Sequence, residues 1–79
     1  MSLKYIMVDN AGTDTPILFP GWMKHDRVAA MLCTKCLSAG FVRFTDGEVQ
    51  THGKSESLRI GTRSEDAAII ASAHGMDLW

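Results

Sequence analysis

Asp46-Gly47 stands between two runs in which apolar and polar residues alternate, Phe41 to Thr45 and Glu48 to His52. A two-residue hairpin loop selects such a pair because its twist needs positive φ, which glycine adopts freely and aspartate tolerates. Val42 and Phe44 then share one strand face, and Phe41 and Arg43 the other. A second hairpin precedes this one. Tyr5 to Val8 is a run of large apolar residues closed by the turn-forming Asp9-Asn10-Ala11-Gly12, and Thr15 to Phe19 reads as its partner. Consecutive apolar positions predict that both faces of the Tyr5–Val8 strand are covered, as in a central strand. Pro16 has no amide to donate, which predicts an edge for the second strand. Two hairpins exclude an all-parallel sheet.

Pro20-Gly21 breaks the chain, and the pattern from Lys24 to Lys35 turns helical. Val28, Leu32 and Cys36 recur every four residues with Ala29 and Cys33 beside them, giving one apolar stripe. No good N-cap residue precedes this helix. Ser38-Ala39-Gly40 is expected to close the region as a loop, and Gly53-Lys54-Ser55 to form a turn before a fifth short strand, Ser57 to Ile60. In that strand Leu58 and Ile60 fall on one side and Arg59 on the other. Thr62 and Glu65 have capping-box spacing, with Ser64 as a second cap candidate, ahead of a helix whose Ala67, Ile70, Ala71 and His74 share a face and which Gly75 ends. The order ββαβββα predicts an α+β fold: one mainly antiparallel sheet of four or five strands with two helices packed on one face. Residues 1–79 are expected to form a single small domain, because a chain this short buries only about 60% of its unfolded surface.

Eight basic and nine acidic side chains leave a net charge of −1, which excludes a global cationic field for nucleic acid or an anionic membrane. No apolar run approaches the roughly 20 residues of a membrane span, and the N-terminal run lacks a secretory layout, so a cytoplasmic setting is expected. Cys33 and Cys36 form the one C-x-x-C pair. A redox pair opens a helix, where the dipole lowers the thiol pKa, but this pair is expected at a helix end. As a metal site it supplies half of a zinc set, and His25, His52 and His74 lie at no finger spacing. Two small apolar residues on a buried helix face are the plainer expectation, with no cofactor. Gly53-Lys54-Ser55 echoes the end of a phosphate loop, but Glu48 stands where the earlier glycine belongs. Asp26 with His25, and His52 with Glu48, are acid/base pairs without an evident nucleophile, so no enzyme activity is expected.

Two surfaces remain. Arg43, Lys54, Arg59 and Arg63 form a basic patch if they converge, able to hold a phosphate, a nucleic acid or an acidic partner. Trp22, Met23, Met31, Met76, Leu78 and Trp79 are a surplus of large apolar residues of types enriched at interfaces. Trp22, Met23, Leu78 and Trp79 are the interface candidates, most economically for a second copy of the chain. Leu37-Ser38-Ala39-Gly40-Phe41-Val42, Gly53-Lys54-Ser55-Glu56-Ser57-Leu58 and Arg63-Ser64-Glu65-Asp66-Ala67 resemble recurring phrases of small uncharacterised proteins of proteobacteria and their phages. That resemblance implies a bacterial or prophage cytoplasmic setting and names no activity. The expected function is a non-enzymatic interaction module that binds a protein partner and forms a homodimer; the alternative is a nucleic-acid or phosphate binder.

Overall fold

A computed structural model describes residues 3–32 and 35–73. The elements are β1 (Leu3–Asn10), β2 (Thr13–Pro20), α1 (His25–Leu32), β3 (Cys36–Thr45), β4 (Glu48–His52), β5 (Lys54–Ser55), β6 (Ile60–Gly61) and α2 (Asp66–Ala73). The first four strands make one antiparallel sheet in the order β2-β1-β3-β4, and β5 pairs with β6 in a small second sheet. The α+β fold expected from the sequence is therefore present.

Turn chemistry sets the two long hairpins. Asn10 pairs with Thr13 and Thr45 with Glu48, leaving two-residue loops at Ala11-Gly12 and Asp46-Gly47. All four loop residues have positive φ, from 47° at Asp46 to 88° at Gly12, the geometry that follows strand twist. The proline-bearing β2 is an edge, as Pro16 requires, and β1 is central. Tyr5, Ile6, Met7 and Val8 are all buried because the two sheet faces are covered separately.

The helices lie on opposite faces, not on one. Ile6, Val8, Phe19 and Ala39 pack with Val28 of α1, whereas Tyr5, Met7 and Val42 pack with Ile70 of α2. Successive β1 side chains point to alternate faces, so four consecutive apolar residues need two covers, and each helix supplies one.

Three local expectations are corrected. Cys36 to Gly40 is strand, not helix end and loop; α1 is described over His25–Leu32. The small residues there serve close packing: Ser38 and Ala39 are fully buried, and a Cβ on Gly40 would come within 2.6 Å of Thr62 Cγ2 and 2.9 Å of the His52 carbonyl. The pairing of β1 with β3 also slips between Met7 and Val8, which passes over Leu37. The expected strand from Ser57 to Ile60 is mostly turn. Arg59 sits at φ 59°, and the Ser55 hydroxyl accepts the Leu58 amide at 3.2 Å; Leu58 and Ile60 still pack on the α1 side. The capping box falls one residue late: Asp66 Oδ2 accepts the Arg63 amide at 3.0 Å, so Arg63 occupies the cap position and Asp66 supplies the reciprocal carboxylate. His74 and Gly75 lie outside the described residues.

Candidate functional site

One row of side chains crosses the sheet beneath α1. By strand register it runs Phe19 on β2, Lys4 on β1, Phe41 on β3 and His52 on β4. Phe41 and His52 stack at 5.6 Å. His25, the first residue of α1, stands edge-on to Phe19 at 5.4 Å and to Phe41 at 5.7 Å. Its Nε2 lies 2.9 Å from the Gly40 carbonyl, which only accepts, so Nε2 carries the proton. This buried ring pins the start of the helix to β3. The carbonyl of Lys24 accepts the amides of Arg27 and Val28 at 3.1 and 3.2 Å, which places a side chain that has no acceptor at the cap position.

With His25 and Val28 turned inward, Arg27, Ala30 and Met31 take the outward side by helical spacing. The approach to the helix is equally fixed. Met23 donates its amide to the Pro20 carbonyl at 3.1 Å, closing a turn, and Lys4 Nζ donates to the Met23 carbonyl at 2.9 Å. Met23 is half-buried against the core, while Trp22, at the turn's tip, is 81% exposed. Met31 is 69% exposed and Leu32 39%. Trp22, Met23, Lys24, Arg27, Ala30 and Met31 line a groove of about 560 Å³. Its lining is mainly apolar and includes two cations, Lys24 and Arg27.

A second depression adjoins it through Lys24. It measures about 350 Å³, and Lys4, Lys24, Lys54, His25 and Phe41 are among its lining residues, with Glu56 as an opposing charge. Lys54 also shares a smaller hollow, about 280 Å³, with Arg59. The other two members of the expected basic patch are elsewhere. Arg43 donates to Gln50 Oε1 at 2.9 Å across the β3–β4 hairpin. Arg63 binds Asp66 at 2.9 Å and Asp14 at 3.2 Å, with Glu65 at 3.8 Å. Lys4, which is not a member of the expected patch, joins Lys24 and Lys54 instead. Alternation along β1 is the signal that could have found it, since it places Lys4 on the face of Ile6 and Val8.

Beneath α2 the titratable groups close on one another. Tyr5 donates its hydroxyl to Asp66 Oδ2 at 2.6 Å, and Arg63 Nε donates to Oδ1 at 2.9 Å. Burial pushes the Asp66 carboxyl up, but the nearby Ser38 and Tyr5 hydroxyls, the Arg63 amide and the Arg63 guanidinium outweigh it and hold the carboxyl below the ordinary aspartate range. Burial, then the Asp66 bond and charge, push the Tyr5 phenol far above the usual tyrosine range. The Ser38 oxygen is buried beside both without reaching hydrogen-bond geometry to either.

Cys36 lies in β3, not on the helix, and is half-buried. Its thiol donates to the Ser38 carbonyl at 3.3 Å, and burial raises its pKa. Among the described residues no three His, Cys, Asp or Glu side chains are grouped as metal ligands. Cys33, Leu78 and Trp79 lie outside the described residues. No described helix is long and apolar enough to cross a membrane. No family model, no curated protein and no solved structure matches this chain.

Proposed function

We propose that the protein is a small non-enzymatic interaction module that binds a protein partner through the outer side of α1 and also self-associates. The bacterial or phage-infected cytoplasm is its proposed setting. The observation that carries this reading is Trp22, 81% exposed at the tip of a turn tied at both ends. A large aromatic held out on a rigid mount loses little freedom on binding, which is the physical profile of an interface anchor. Met31 and Ala30 extend the apolar surface along the helix, and Met23 joins it to the core. The titratable groups with shifted pKa values, Tyr5, Cys36, Arg63 and Asp66, are engaged with their own chain, which favours binding over catalysis.

A photo-crosslinking residue at position 31, with the same residue at the exposed Asn10 turn as control, tests this in living cells. Covalent adducts at position 31 and none at 10 are the expected result. Equal or absent labelling at both would refute the reading.

A second reading is favoured by the gathering of Lys4, Lys24 and Lys54 around one depression that Phe41 also lines. Three ammonium groups beside an aromatic face suit a phosphate group, including that of a nucleic acid. Retention on heparin at low salt, lost in Lys54→Glu, is its expected mark; passage of the unmodified protein straight through the column excludes it.

A further inference from the structure

We infer that the occupant of the α1 groove is the segment Met76-Asp77-Leu78-Trp79 of a second copy of this chain. The inference rests on the α1-face reading above and names its self-association partner. Groove and segment match in apolar character and in charge. The lining offers Trp22, Met23, Ala30 and Met31, and the segment offers Met76, Leu78 and Trp79. Methionine thioethers beside indole rings are a favourable pairing in either direction. Lys24 and Arg27 are part of the same lining, and Asp77 is the charge set among the segment's apolar residues. The groove's 560 Å³ is of the size that encloses a few large side chains.

Reach decides between the same copy and another. α2 covers the Tyr5-Met7-Val42 face, and the groove lies on the outer side of α1, beyond the opposite face. Only His74 and Gly75 separate Ala73, the last described residue of α2, from Met76. The three Cα–Cα steps from Ala73 to Met76 span at most about 11 Å, and the molecule is 19 Å through its shortest dimension. The segment therefore serves a neighbour's groove. Because every copy carries both halves, a pair exchanging segments closes with two-fold symmetry and leaves neither groove open.

Sedimentation equilibrium on the full-length chain, from micromolar to millimolar concentration, tests this. The unmodified protein is expected to dimerise. Trp22→Ser, and separately the double variant Leu78→Ser/Trp79→Ser, are each expected to weaken dimerisation by about thirtyfold, the loss of an interface hot spot. Mixing those two variants restores one intact segment-in-groove contact and is expected to yield heterodimers tighter than either homodimer. Lys24→Glu and Asp77→Lys each weaken association, and their combination recovers it. A groove variant that weakens the dimer while the segment variant does not would overturn the inference. So would a chain that stays monomeric at millimolar concentration: if position 31 still crosslinks a different protein, the α1-face reading survives and only the occupant is wrong, and if it crosslinks nothing, both fall.

Discussion

Beneath α2 the sheet presents Tyr5, Met7 and Val42, and the buried carboxylate there is answered by a phenol, a backbone amide and a guanidinium. Beneath α1 it presents Ile6, Val8 and Ala39 beside rings, with a histidine bonded to a carbonyl, and the helix's outer side carries exposed apolar residues next to cations. Each helix has eight described residues, and the two cover the same sheet. The difference lies in where charge is placed. One helix satisfies its charges inward and so fixes the fold; the other turns them outward beside apolar surface, which stabilises the fold little and leaves a surface to be used.

Substitutions should separate these roles. Asp66→Ala leaves the Arg63 guanidinium and the Tyr5 hydroxyl without their acceptor, and is expected to cost about 3 kcal/mol in urea unfolding; a loss below about 1 kcal/mol would erase the distinction between the faces. His25→Ala removes two ring contacts and a buried hydrogen bond under α1. About 2 kcal/mol is expected by the same measurement. Gly47→Val touches neither helix and calibrates both figures. Gly47 has φ 79°, and a Cβ there would meet nothing within 4 Å. The expected loss, about 1–2 kcal/mol, is backbone strain alone, read as a lowered melting temperature.

The pH profile sharpens the comparison further. Asp66 has a lowered folded pKa, so its contribution is fully present above the ordinary aspartate value of 3.8 and is lost as pH falls through the lower folded value. Tyr5 has a raised pKa, so its contribution is intact below the ordinary value of 10.0 and fades as pH rises beyond it. Urea midpoints followed against pH should fall at both ends, and Asp66→Asn should flatten the acid limb. Smallest of all, Trp22→Ser and Met31→Ser are expected to shift stability by no more than about 0.5 kcal/mol, as exposed positions do, while changing what the protein binds.

Both long hairpins were legible because the turn residues carry their geometry in their identity. The placement of the helices was also written in the chain, in the unbroken apolar run of β1, but reading it required treating each helix as one cover for one face. Cys36 to Gly40 was not legible. Small residues at a crowded central strand look like loop residues until the neighbours that crowd them are known, here Thr62 and the His52 carbonyl. Of the site, Trp22 and Met23 could be named from residue type, but not that one is exposed and the other anchored. The basic residues could be counted, but not sorted, because Arg63 finds Asp14 at a sequence separation of 49.

Tyr5 meets its acceptor 61 residues further along the chain. During synthesis from the N-terminus, the first hairpin and β3 can assemble while one side of that young sheet still lacks its roof. Tyr5, Met7 and Val42 stay wet until Asp66 and Ile70 have left the ribosome. The last helix thus acts as a latch, and a nascent chain halted before it would present a sticky, half-finished sheet to the cell's chaperones.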